Sequence, residues 1–148
     1  MKKTIDSVSV TLWANRLVAA VVFILLFTLP ALLDWYCRFR LLLPVERIAL
    51  LIAFYCCAAV IFIALWNMDA LLRNIRKEQV FTNQNVRHIR VIRWCCGGTA
   101  AICLPAALCY YPLVFVVLVM GFLFLAVSVV CRVMHAAVAI REENDLTI

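Results

Sequence analysis

Charged residues cut this chain into long apolar segments. Residues 17–33, between Arg16 and Asp34, carry no charge, about 27 Å of helix at 1.5 Å per residue. Residues 48–68, between Arg47 and Asp69, form a second uncharged run of about 33 Å. Residues 94–130 hold no charge at all. As one helix that stretch measures about 55 Å, too long for a single crossing of a hydrocarbon core roughly 30 Å thick. Cys109-Tyr110-Tyr111-Pro112 interrupts it near the middle: paired tyrosines suit a membrane interface, and the proline favours a helix start. The pattern predicts four spans, at about 13–34, 47–70, 93–110 and 113–133. Beyond Arg132 the apolar spacing continues through Val133, Ala136, Ala137 and Ile140, carrying helix 4 to about residue 140. Leu71, Leu72 and Ile75 extend helix 2 in the same way, alternating with Asp69, Arg73 and Arg76. Thr82 is the expected N-cap of the next helix, with Val86, Ile89 and Ile92 on one face and Arg87, Arg90 and Arg93 on another.

Composition agrees with a lipid solvent. Of 148 residues, 68% are hydrophobic and 15% charged, with a mean hydropathy of +1.05. A soluble domain of this size has too little interior to hide that much apolar surface. Trp13, Trp35, Tyr36, Trp66, Trp94, Tyr110 and Tyr111 fall within a few residues of a predicted span end, where amphipathic rings prefer the headgroup level. The net charge of +6 comes from 14 Lys and Arg against 8 Asp and Glu. Eleven of the basic residues fall on the N-terminal segment, the 2–3 connection and the C-terminal end, and only Arg38, Arg40 and Arg47 on the 1–2 loop. That bias places both termini in the cytosol. The expected fold is all-α: a single transmembrane domain over residues 1–148, an integral four-helix bundle with cytosolic termini and helices 2 and 4 extending into the cytosol. The basic flank of helix 1 resembles a signal peptide, but no small-x-small cleavage site follows it, and no cleavage is expected.

Candidate chemistry is sparse. Eight cysteines (37, 56, 57, 95, 96, 103, 109, 131) include adjacent pairs that diverge by about 100° on a helix, so they do not converge on one ion. Small apolar packing residues are the favoured reading. Cys131 and His135 lie one turn apart without a second ligand pair, which favours interfacial packing and a solvated histidine. His88 reads as a surface residue. Ala49, Ala53 and Cys57 on helix 2, and Gly97 and Ala101 on helix 3, recur at four-residue spacing, as close-packed membrane helices require. Pro105 is expected to kink helix 3. No Asp, Glu, Lys, Arg or His lies mid-span, where coupled transporters normally place such groups. Phosphate loops, hydrolase triads and zinc motifs are equally missing. An enzyme and a coupled transporter are both disfavoured, and no catalytic residue, metal or cofactor is assigned.

Val80-Phe81-Thr82-Asn83-Gln84-Asn85-Val86, followed by Ile89-Arg90 and Trp94, and the closing Arg141-Glu142-Glu143-Asn144-Asp145-Leu146-Thr147-Ile148 resemble two segments of a bacterial membrane family. This is the family catalogued as domain of unknown function twenty-nine seventy-five. Val80 stands where many members carry proline. The resemblance implies a small four-span protein of the bacterial cytoplasmic membrane, encoded in many cases beside a small helix-turn-helix regulator.

Phe81, Thr82, Asn85, Arg87, Arg90, Arg93, Arg141, Glu142, Glu143 and Asp145 form the candidate cytosolic interaction surface. The acidic tail is placed either to pair with Arg87, Arg90 and Arg93 or to leave them for a partner. The basic stripe also suits anionic lipid headgroups. The expected partners are the lipid bilayer, a cytosolic DNA-binding regulator and a second copy of the chain, with no direct nucleic-acid contact. The leading functional reading is a regulatory or sensory membrane protein that binds a cytosolic partner. The rivals are an immunity protein against a membrane-active peptide, acting through Trp35, Tyr36, Arg38 and Arg40, and an oligomeric channel or passive carrier.

Overall fold

The computed structural model describes residues 2–39, 44–77 and 82–145. They form four helices: α1 (Lys2–Phe39), α2 (Pro44–Arg76), α3 (Asn83–Cys109) and α4 (Leu113–Asp145). Each is long and apolar enough to cross a membrane, over Val8–Tyr36, Val45–Arg76, Asn83–Cys109 and Leu113–Arg141 respectively. Hydrocarbon offers no water to backbone N–H and C=O groups, so a crossing segment must bond them within itself, and a helix does so. The all-α fold and the four spans agree with the apolar pattern.

The helices contain 38, 33, 27 and 33 residues, or roughly 57, 50, 40 and 50 Å. All four exceed a hydrocarbon core of roughly 30 Å, so the overrun predicted for helices 2 and 4 is shared by α1 and α3. The basic segment that precedes the predicted span at 93–110 is the start of α3 itself, which begins at Asn83, directly after the expected N-cap Thr82. Thr82 holds the N-cap position in extended backbone (φ −130°, ψ 146°), and its carbonyl accepts from the amides of Asn85 and Val86. Its hydroxyl makes no capping bond.

Contacts along the chain fix an up–down order. Asn15 Nδ2 donates to the Leu65 carbonyl at 3.1 Å, while Arg47 donates to Asp34 at the other end of the α1–α2 pair. Between α3 and α4 the link is a short turn. The amides of Leu113, Val114 and Phe115 bond the carbonyls of Tyr110, Tyr111 and Pro112, so the first donors of α4 are satisfied by the turn that precedes it. One end of the assembly is therefore rich in arginine and the other in tyrosine.

α3 is the central helix. It packs on both α2 and α4, whereas the α1 backbone approaches only α2 among the described residues. The hydropathy of the spans is 1.5 for α3 against 2.5, 2.9 and 3.1 for α1, α2 and α4. The first turns of α3 carry Asn83, Gln84, Asn85, Arg87, His88, Arg90 and Arg93. Gly97 lets α4 come close, since a Cβ there would lie 3.1 Å from Cδ2 of Phe124. Ala53 and Cys57 are buried, as their spacing predicts, but Ala101 is exposed and takes no part in the seam. Cys57 and Cys103 meet across α2 and α3 with their sulfurs 3.5 Å apart.

At the tyrosine end Leu29, Leu33, Leu50, Ala53, Ala106, Ala107 and Leu113 form a core to which all four helices contribute. Tyr36 and Tyr110 close it, their hydroxyls 2.5 Å apart and their rings edge-on. Toward the middle lies an apolar cavity of about 250 Å³ lined from all four helices.

Pro30 lies inside α1 and has no N–H to offer the carbonyl one turn back, that of Leu26. The Tyr55 hydroxyl of α2 donates to that carbonyl at 3.4 Å. A backbone defect in one helix thus becomes a tie to its neighbour. Tyr55→Phe is expected to destabilise the protein by about 1 kcal/mol, measured by reversible unfolding in mixed micelles. The same change in a Pro30→Ala background should have little effect, because the Leu26 carbonyl then regains a helical donor.

Candidate functional site

The basic end is built as a second, smaller packed unit. Val86 and Ile89 of α3 meet Cys131 and Val138 of α4, with Leu71 of α2 and Val127 and Met134 of α4 packed around them. Much of this core lies beyond the uncharged parts of the spans. Asn85 is wholly buried beside it, and Asn74 Nδ2 of α2 donates to its Oδ1 at 2.9 Å. One side-chain level toward the bilayer, His88 Nδ1 lies 2.9 Å from Asn67 Oδ1, while Asn67 Nδ2 donates to the Ile63 carbonyl of its own helix at 2.8 Å. On the far side of α2, Asp69 takes Arg73 at 2.6 Å and Arg16 of α1 at 3.8 Å. A polar seam therefore joins α1, α2 and α3 near the membrane edge. In a region of low dielectric such bonds are strengthened, and an unpaired member is costly.

This geometry corrects several expectations. Asn85 does not belong to an interaction surface: it has no exposed area, and its amide serves the α2–α3 contact. Val86, its neighbour in the family-like segment, is 3% exposed. His88 is half-buried in the same contact rather than a surface residue. Arg93 leaves the basic stripe, turning toward α4 with its guanidinium carbon 5.5 Å from the Trp94 ring centre and 5.9 Å from that of Phe124. Those distances suit cation–π contacts with both rings. Cys131 packs in the core of the basic end.

Arg87 and Arg90 remain on a surface, but one that faces α4. They line a groove of about 360 Å³ with Asn83, Trp94 and His135. The ion pairs among the described residues are Arg16–Asp69, Arg73–Asp69 and Arg47–Asp34, so none joins Arg87, Arg90 or Arg93 to the end of α4. Arg141 and Glu143 are exposed on α4. Phe81 and the side chains of Glu142 and Asp145 lie outside the described residues, and Thr82 stands at the head of α3. His135, read from sequence as merely solvated, is the α4 contribution to the groove. Its sequence signal is a histidine one turn after Arg132, where the long apolar run of α4 ends. Asn67 and Asn74 were also missed, although each interrupts the apolar extension of helix 2 at a seven-residue interval. Chemically, the groove offers fixed positive charge and hydrogen-bond donors, which is the equipment for binding an anion.

Asn85→Leu leaves the Asn74 amide without its acceptor in a buried place. A loss of about 1–3 kcal/mol is expected, read as a lowered melting temperature in detergent. Adding Asn74→Leu should recover part of it, since an apolar pair strands no donor. Two additive losses would deny the pairing.

Comparison with curated proteins and with solved structures gives no match. A model of the family described as "Protein of unknown function (DUF2975)" matches residues 5–148, from α1 through the closing acidic segment. With almost its whole length matched, the chain belongs to the DUF2975 family.

Proposed function

We propose that this protein is a non-enzymatic regulatory component of the bacterial cytoplasmic membrane, with its basic end in the cytosol as a docking platform for a small soluble DNA-binding regulator. The observation that carries this reading is the separate core at that end, Val86, Ile89, Cys131 and Val138 with the buried Asn85. A span needs no such structure to cross lipid, and projecting helix ends would fray without it. The charge bias supports the orientation. Arg76, Lys77, Gln84, Arg141 and Glu143 are exposed around the platform, so an acidic or mixed-charge face suits the partner. The protein reaches DNA through that partner and makes no nucleic-acid contact of its own.

Two features favour this over the rival readings. Of the residues of the peptide-immunity reading, Tyr36 is engaged with Tyr110, while Arg40 and the side chain of Arg38 lie outside the described residues. The central cavity is lined by apolar side chains from every helix, a poor path for ions.

Orientation comes first: a tag fused after Ile148 should resist protease added outside intact cells and be cleaved in inverted vesicles. Photo-crosslinking residues placed at Arg76, Gln84 and Arg141 should then each give an adduct with a co-expressed helix-turn-helix regulator encoded beside the gene, and none at lipid-facing Leu118. Adducts at Leu118 as strong as at the platform, or at no position, would remove the proposal.

A further inference from the structure

The groove between α3 and α4 has a defined depth. His135 lies 22 residues along α4 from Leu113, about 33 Å at helical rise, so it stands where a hydrocarbon core of roughly 30 Å ends. Trp94 forms the other wall, 63% exposed and braced edge-on against Phe124 at 6.3 Å. Measured the same way from Cys109, Trp94 lies about 22 Å along α3, just inside that boundary. Arg90 is one turn beyond it and Arg87 almost two, on the side away from the bilayer centre. Arg87, Arg90 and His135 thus ring a cleft at the height of lipid phosphates, with an aromatic floor toward the acyl chains.

The electrostatics have one sign. Among the described residues no ion pair engages Arg87 or Arg90, and no carboxylate lines the groove. Asn83 opens α3 at the same place, and the positive end of the helix dipole adds to the arginines. Arginine forks bind phosphate oxygens in pairs, which a diffuse surface charge does not.

We infer that this groove is a binding site for the phosphate of an anionic phospholipid in the leaflet at the basic end. Arg87 and Arg90 hold the phosphate, His135 approaches it from α4, and Trp94 packs against the glycerol and the first methylenes. The site is separate from the exposed platform residues, and its occupant arrives sideways from the bilayer.

Trp94 reports on the site directly. In full-length protein carrying Trp13→Phe, Trp35→Phe and Trp66→Phe, it is the only tryptophan. Reconstituted in phosphatidylcholine vesicles, it should be quenched by brominated phosphatidylglycerol at several-fold lower mole fraction than by brominated phosphatidylcholine. Arg87→Gln and Arg90→Gln should each lower this preference, by roughly fivefold at most per charge removed. Arg76→Gln, at the same end but outside the groove, should leave it intact. Unchanged Trp94 emission in pure phosphatidylcholine certifies that each variant is folded; if Arg87→Gln or Arg90→Gln fails this check, the Lys variant at that position takes its place, retaining the charge but not the paired guanidinium contact, and a smaller loss of preference is expected. Equal quenching by the two lipids in the parent protein would overturn the site. An Arg76→Gln effect as large as that of Arg90→Gln would reduce it to diffuse attraction. Loss of the preference on adding excess inorganic phosphate would assign the groove to a soluble phosphate instead of a lipid.

Discussion

The contact between α2 and α3 organises the rest of the molecule, and polar groups hold much of it. Lipid tails are as apolar as leucine, so exclusion from water cannot press helices together inside a bilayer. Close packing and hydrogen bonds must do so. Here the packing lies at Cys57 and Cys103, and the hydrogen bonds lie nearer the basic end, at Asn67–His88 and Asn74–Asn85. An amide pair is short and directional, and it specifies a register that sliding apolar surfaces would leave loose. With α3 fixed on α2, its opposite side is free to receive α4 through Gly97 and Phe124.

α1 is held differently. Its links to α2 are Asn15 to a carbonyl, Arg16 to Asp69, Tyr55 to the carbonyl freed by Pro30, and Asp34 to Arg47. Near the turn before α4, Tyr36 of α1 meets Tyr110, and Leu29 and Leu33 share a core with Ala106, Ala107 and Leu113. An apolar cavity lies between the helices, lined from all four. Its lining is apolar on every helix, so lipid is a compatible neighbour and water is not.

On the proposed reading, the basic end serves two neighbours at two heights. The groove of Arg87, Arg90, Trp94 and His135 stands at the lipid boundary, whereas Arg76, Gln84, Arg141 and Glu143 stand on the projecting ends. A single count of basic residues merges these sets, because positive charge suits both anionic headgroups and an acidic protein face. Depth along the helices separates them. The core of Val86, Ile89, Cys131 and Val138 between the two sets makes them parts of one rigid unit.

Sequence alone determined the solvent, the number of spans, their helical form and the family. These follow from the distance between charges and from the need to satisfy every backbone group in hydrocarbon, both of which are one-dimensional properties. The two family-like segments were also legible, but their roles were not. Asn85 reads as a polar surface residue because asparagine usually is one, whereas the opposing Asn74 meets it in a buried place. Arg93 and Arg90 share one stripe on a helical wheel, yet Phe124 draws the first into a seam and leaves the second beside His135. Which polar residue finds a partner depends on what the neighbouring helix presents at the same height. That is decided by helices far apart in the chain, so the tertiary structure alone could assign it.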